Sequence, residues 1–216
     1  MAITAAGRVA IAPNVVLDGR LALFHEEERW LAVADLHFGY ELSQRAAGRL
    51  LPMWGMTSVE ERLVELVEDY EPRQLIIAGD LVHDQTSADA AAALLARLRK
   101  RSAVIALAGN HDRRAAELID FLPRWETPGF VFQHGDCESE EERLQIIGHH
   151  HPAARISDGA GLRLKFPAFI QQERCWILPA FSPWAGGVAW ADDGASRIWL
   201  CTPRRVLRVD GNPAAA

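Results

Sequence analysis

The hydrophobic pattern of this chain is a series of short apolar runs, each closing on a polar residue able to bind metal. Residues 29–34 precede Asp35-Leu36-His37, and residues 74–78 precede Gly79-Asp80. Residues 103–108 precede Gly109-Asn110-His111-Asp112. Residues 130–133 run into His134-Gly135-Asp136, and residues 144–147 into Gly148-His149-His150-His151. A short continuous apolar run predicts a strand buried on both faces. Between these runs the period changes. Val59, Leu63, Leu66, Val67 and Tyr70 recur at helical spacing behind Thr57-Ser58-Val59-Glu60, which has the spacing of a capping box, and Pro72 follows. A second helix is predicted from Thr86, with Leu94, Leu95 and Leu98 on its inner side. Residues 29–108 thus read as strand, helix, strand, helix, strand, in consecutive parallel crossovers.

Flanking segments complete the layout. Val15-Val16-Leu17 and Leu21-Ala22-Leu23-Phe24 surround Asp18-Gly19-Arg20, which predicts a hairpin with a tight, positive-φ turn. Residues 38–56 carry several helix formers. Beyond residue 160 the chain turns strand-like at 162–166, 175–178, 187–191, 197–201 and 206–209, with turn signals such as Asp193-Gly194 between them. The expectation is one domain over residues 1–212, built as two packed sheets with helices outside, and a disordered tail at 213–216.

Parallel strands present their carboxyl ends at one edge, where ligands bind. The pattern therefore delivers Asp35, His37, Asp80, Asn110, His134, His149 and His151 to one place. Hard oxygens and imidazoles in that number suit two first-row divalent ions. Asp35 and His37 stand two apart, as do His149 and His151, so each pair can share a side at a strand end. Gly79 lets the backbone approach at Asp80, whose two oxygens can bridge two ions. Such a pair suits in-line cleavage of a phosphate ester. His111 lies beside a ligand without being needed in either shell, and is assigned proton donation to the leaving oxygen or stabilisation of the pentavalent state. Taken singly each signal is common: Asp35 alone reads equally as a helix N-cap, and any one histidine as a surface or core residue. Their joint order carries the inference.

Composition narrows the setting. The chain has 216 residues, 49% hydrophobic and 24% charged, as in ordinary soluble globular proteins. No apolar stretch reaches the length of a membrane span. The N-terminal residues lack the layout of a secretory signal. Three cysteines without a CxxC pair point to a reducing, cytoplasmic compartment, and Cys137 reads as a bystander thiol near the fourth motif. The net charge of −6 argues against retention on nucleic acid by bulk electrostatics. Two bound divalent ions would nevertheless make the site itself locally positive.

Asp35-Leu36-His37, Gly79-Asp80, Gly109-Asn110-His111-Asp112, His134 and Gly148-His149-His150-His151 together resemble the calcineurin-like metallophosphoesterase signature. That resemblance implies an α/β four-layer αββα sandwich of two mixed sheets. It implies Asp35, His37 and His151 on one metal, Asn110, His134 and His149 on the other, Asp80 bridging, and His111 as catalytic histidine. Gly79-Asp80-Leu81-Val82-His83-Asp84 departs from the Gly-Asp-x-x-Asp-Arg-Gly of the protein phosphatases. His83 instead resembles the repair-nuclease branch, where this histidine assists the catalytic one; a plain loop residue is the alternative. The layout is similar to the bacterial ligase-associated DNA-damage-response phosphodiesterases, which implies a manganese-dependent endonuclease preferring single-stranded DNA, associated with a ligase or helicase. Leu178-Pro179-Ala180-Phe181 followed by Gly186-Gly187 fits that subfamily, whereas Ser182-Pro183-Trp184 departs from it.

For substrate, Arg45, Arg49, Arg113 and Arg114 are candidates for phosphate contacts, or are solvated surface. Phe38, Tyr40 and Trp184 are candidates for base stacking, or are core. Arg97, Arg99, Lys100 and Arg101 sit at a helix end, where they complement its dipole. Two further functions stay open: a phosphodiesterase of a small nucleotide or lipid-linked diphosphate, and a non-catalytic scaffold. Iron, zinc or cobalt could replace manganese in such a site, and homo-oligomerisation is open.

Overall fold

The computed structural model describes residues 7–136, 141–157, 160–191 and 194–209. Cys137, Asp193, the N-terminal six residues and the tail at 213–216 lie outside the described residues. The first sheet has the order β1 (Arg8–Ala12), β2 (Val15–Asp18), β3 (Ala22–His25), β4 (Trp30–Val33), β5 (Gln74–Ile77) and β6 (Ala103–Ala106). β1 to β4 pair antiparallel, and β4, β5 and β6 are parallel neighbours. The helices α1 (Tyr40–Ala46), α2 (Trp54–Tyr70) and α3 (Ala88–Leu98) occupy the β4–β5 and β5–β6 connections. The crossover pattern read from residues 29–108 is therefore present.

The second sheet is assembled from β7 (Trp125–Thr127), β8 (Phe130–Gln133), β9 (Leu144–Ile147), β10 (Pro152–Ser157), β11 (Arg163–Gln171), β12 (Cys175–Ile177), β13 (Val188–Ala189), β14 (Arg197–Thr202) and β15 (Arg205–Val209). β8, β9 and β12 are parallel, and the remaining pairs are antiparallel except β10 with β13. Both sheets are thus mixed, as the resemblance implied. Alternate residues of the second sheet serve different cores. Phe132, Ile146, Phe169 and Trp176 join the main cluster with α2, α3 and the first sheet. Ile147, Ala168, Ile170, Ile177, Ile198 and Leu200 form a smaller cluster on the other face. Among the described residues no α-helix follows β6, and none is long and apolar enough to cross a membrane.

Two local readings need correction. α2 begins at Trp54, so Thr57 and Ser58 lie inside its first turns and do not cap it. Its Met53 cap position makes no side-chain bond; the buried Glu41 carboxylate accepts the Met56 amide at 2.9 Å instead. A remote carboxylate does what the local Thr would have done, satisfying a first-turn N–H that has no intrahelical partner. At the hairpin, positive φ falls on Leu21 rather than on Gly19. Gly19 is required by close approach, since a Cβ there would lie 1.9 Å from the Thr202 carbonyl oxygen. At α3, Asp84 accepts the Thr86 amide at 2.9 Å and starts a 3-10 turn, Gln85–Ser87, that leads into the helix. The buried Cys201 and half-buried Cys175 are thiols, pushed by burial up to about 12 and about 11.

Asp18 pins the hairpin to α2. It accepts from the Arg20 guanidinium at 2.8 Å, from Arg8 at 3.2 Å and from the Tyr70 hydroxyl at 2.9 Å. Burial alone would raise its pKa, but the hydrogen bonds from Arg20 and Tyr70 outweigh it and hold the carboxyl below 3.8. A folded-state value below the unfolded one stabilises the protein above the unfolded value, and that stabilisation disappears as pH falls through the folded value. Asp18→Asn is expected to lower stability by about 2–3 kcal/mol at neutral pH. Urea unfolding of both proteins across pH should show the difference narrowing as pH drops below that carboxyl's range.

Candidate metal centre

The convergent edge is built by two sheets rather than one. Phe181 donates its amide to the Ala34 carbonyl at 2.8 Å and Ser182 to Asp35 at 3.1 Å, which zips the segment after β12 to the end of β4. Gly148 donates to the His134 carbonyl at 2.9 Å, and Asp35 to Gly79 at 3.1 Å. The carboxyl ends of β4, β5, β6, β8 and β9 therefore meet.

The turns at these ends are left-handed. Asp35 (φ 54°), His37 (41°), Asp80 (48°), His149 (66°) and His151 (44°) all have positive φ. Each such non-glycine residue costs on the order of 1–3 kcal/mol, and such residues persist where surrounding structure over-determines them. The glycines beside them clear space. A Cβ on Gly79 would lie 2.2 Å from His134 Nδ1, one on Gly109 2.2 Å from Asp80 Oδ1, and one on Gly148 2.8 Å from Asp35 Oδ2. The small residue in each motif is thus a steric requirement of the neighbouring ligand.

Among the described residues, atoms able to hold a metal gather in three groups: Asp35, His37, Asp80 and His151; Asp80, His134 and His149, which shares Asp80 with the first; and His37, His83 and His111 at the cavity. His37 Nε2 stands 3.2 Å from His151 Nε2 and 3.8 Å from Asp80 Oδ2, and His151 Nε2 stands 3.7 Å from Asp35 Oδ1. His134 Nε2 stands 3.5 Å from Asp80 Oδ1, 3.0 Å from Asn110 Oδ1 and 3.1 Å from His149 Nδ1. The seven candidate ligands read from the sequence are thus brought together.

The donor set fits a pair of cations. His134 Nδ1 donates to the Ala78 carbonyl at 3.2 Å, which turns Nε2 toward the Asp80 carboxylate, the Asn110 amide oxygen and His149. Burial, then the neighbouring His151 and His111, drives His37 down to about 2, so it is neutral. His151 is raised because the facing Asp35 carboxylate outweighs its burial. Buried acceptors aimed at one another are costly unless a positive charge lies among them.

His111 sits at the mouth. Its amide donates to Asp80 Oδ1 at 3.0 Å, and its Nδ1 donates to the His83 carbonyl at 2.8 Å. A carbonyl only accepts, so the second nitrogen, Nε2, is the one left for substrate. The His83 ring stacks on His111 at 5.2 Å, and burial together with His111 keeps it below its usual pKa. A cavity of about 210 Å³ opens here, lined by His37, Tyr40, His83, His111, His151 and Trp184, among others.

The remaining candidates are dispersed. Arg45, Arg49, Arg113 and Arg114 are exposed and do not line the cavity. Tyr40 and Trp184 do line it, whereas Phe38 is buried in the main core and so is not available for stacking. Two supporting residues escaped the sequence reading. Asp112 is buried and accepts from Gly109, Val82 and Leu81 at 2.9, 3.0 and 3.3 Å, tying the Gly-Asp and Gly-Asn-His loops together. Burial pushes it up to about 6 against those bonds. Its place beside Asn110 and His111 was the available signal. Arg62 of α2 lies over the Phe181 ring at 3.8 Å and donates to the Phe181 carbonyl, holding the segment that zips the two sheets. Burial lowers its pKa to about 10. Nothing in the sequence distinguishes it from a solvated helix arginine.

The family model for calcineurin-like phosphoesterases matches residues 29–166, which include every ligand just described. The chain belongs to the calcineurin-like phosphoesterase family. Among solved structures it is similar to the Pseudomonas putida nuclease MPE, with 28% identity and a TM-score of 0.72 over 94% of this chain and 100% of that one. It is also similar to Yfce, a phosphoesterase from E. coli, at 17% identity and a TM-score of 0.45 over 79% of this chain and 86% of that one. No curated protein matches it. The chain is a metal-dependent phosphoesterase by family.

Asp80→Ala is expected to reduce the divalent ions retained per chain from two to one or none, as read by elemental analysis after gel filtration. Gly79→Ala, which changes no ligand, is expected to weaken metal binding by about 10–100-fold by displacing His134, in the range of supporting-shell changes around a metal. Metal titration monitored calorimetrically checks it.

Proposed function

We propose that this protein is a two-metal phosphodiesterase that cuts DNA endonucleolytically, with unpaired DNA preferred and manganese as its metal. The observation that carries the reading is the likeness to the Pseudomonas putida nuclease MPE over 94% of this chain, joined to the His83–His111 pair at the cavity mouth. In this reading Asp35, His37 and His151 would hold one ion and Asn110, His134 and His149 the other, with Asp80 available to both. Bound divalent ions supply charge that polarises a phosphate and lowers the pKa of water.

The chain's own groups supply the rest. His111 is fixed through Nδ1 by the His83 carbonyl, and in its doubly protonated form it would hand the Nε2 proton to the leaving oxygen and be left as the neutral Nδ1–H ring. The Asp80 carboxylate accepts the His111 amide, so the proton donor and the bridging ligand move as one piece. His83 stacks on the donor and limits its rotation. The resemblance to ligase-associated repair enzymes supports a cytoplasmic role beside a DNA ligase or helicase.

A second reading, a small nucleotide or lipid-linked diester as substrate, is favoured by the modest cavity and the net charge of −6. Incubation with manganese and circular single-stranded DNA, duplex DNA or an aryl phosphodiester separates the two. Linearisation of the circle supports the endonuclease; turnover confined to the small diester supports the alternative.

His111→Ala is expected to keep two ions per chain and to lose about 10²–10⁴-fold in kcat, the usual contribution of a positioned acid. Normal turnover in that variant would remove His111 from the chemistry.

A further inference from the structure

The ring contacts around the cavity continue past it. His111 stacks with His83 at 5.2 Å, and His83 meets Tyr40 at 4.6 Å. Tyr40 meets Trp184 at 6.0 Å with planes 25° apart, and Trp184 meets Trp54 at 5.0 Å. These separations are those of rings in direct contact. They form a continuous aromatic lane from the catalytic histidine to solvent. Trp54, its outer end, is 50% exposed. Tyr40, Trp184 and Trp54 belong to neither hydrophobic cluster, so core packing does not explain them.

The lane is also built rather than incidental. A Cβ on Gly55 would lie 2.2 Å from Trp184 Nε1 and 2.4 Å from Glu41 Oε1, so the residue after Trp54 must be small for Trp184 to seat. Glu41, from the same helix as Tyr40, bonds the start of α2 through the Met56 amide. Ser182 Oγ accepts the Trp184 amide at 3.2 Å. The three rings are therefore set by mutually braced segments. Exposed Arg45 and Arg49 lie on the chain between Tyr40 and Trp54.

We infer that Trp54, Trp184 and Tyr40 form a stacking platform for the bases of an unpaired polynucleotide on one side of the cut, with Trp54 as its outermost subsite. This rests on the phosphodiesterase reading above and adds to it the path of the strand. The rings touch one another, so bases lie along the lane's open surface and not between rings. Aromatic faces accept any base, and exposed arginines suit the backbone phosphates. A duplex has its base faces already stacked, which gives the platform a reason to prefer unpaired strands.

The test is steady-state kinetics of Trp54→Ala and Trp54→Phe with manganese on circular single-stranded DNA and on a series of shortened oligonucleotides. Trp54→Ala is expected to raise KM on the circle by about 5–150-fold, the range for loss of one stacked base, with kcat changed by less than about threefold. Trp54→Phe should return KM toward wild type, and the defect should shrink as the oligonucleotide becomes too short to reach the outer subsite. Wild-type KM in Trp54→Ala, a Phe variant as impaired as Ala, or a defect independent of length would each overturn the platform while leaving the endonuclease reading intact. If wild-type protein cut only small diesters and no DNA, both would fall together.

Discussion

The site is organised around one buried carboxylate, Asp80, with imidazole nitrogens of His37 and His134 facing it on either side. His37 Nε2 and His134 Nε2 approach its two oxygens at 3.8 and 3.5 Å. His37 is driven neutral by burial, and His134 is oriented by the bond from its Nδ1 to the Ala78 carbonyl. Positive charge at that point relieves mutual repulsion that the fold alone would have to bear. The ligands reach it because two parallel strand sets, β4–β5–β6 and β8–β9–β12, end at the same place.

That convergence is maintained at a backbone cost. Five candidate ligands, Asp35, His37, Asp80, His149 and His151, adopt left-handed conformations that side chains other than glycine resist. The contacts that over-determine them sit just behind: Arg62 on Phe181, the amides of Phe181 and Ser182 on the end of β4, and Asp112 on three loop amides. A site held this tightly needs little rearrangement at the moment of reaction, which is the physical basis of electrostatic preorganisation. His111 inherits the rigidity through its amide bond to Asp80 and its ring bond to the His83 carbonyl.

Much of this was legible in the sequence because ligand type and strand ending coincide. Apolar runs named β4, β5, β6, β8 and β9, and the residues after the runs are the candidate ligands that the fold brings together. Helical periodicity found α2 and α3. What failed was local detail set by distant chain. The start of α2 depends on Glu41, which is separated from it by the segment after α1, so Thr57 offered a false cap. Gly19 answers to Thr202 from the far end of the chain, and no turn rule anticipates that contact. Phe38, next to a ligand motif, faces inward, whereas Trp54, outside every motif, lies on the lane to the active site. Periodicity reports which face is buried; it does not report which exposed ring adjoins which.

The proposed function requires two cations beside Asp80, and electron paramagnetic resonance of protein stripped with chelator and reloaded with manganese reads whether they are there. A magnetically coupled manganese pair, reached at two ions per chain and abolished in Asp80→Ala, is the result this account requires. Spectra of isolated, uncoupled manganese at full loading would contradict it.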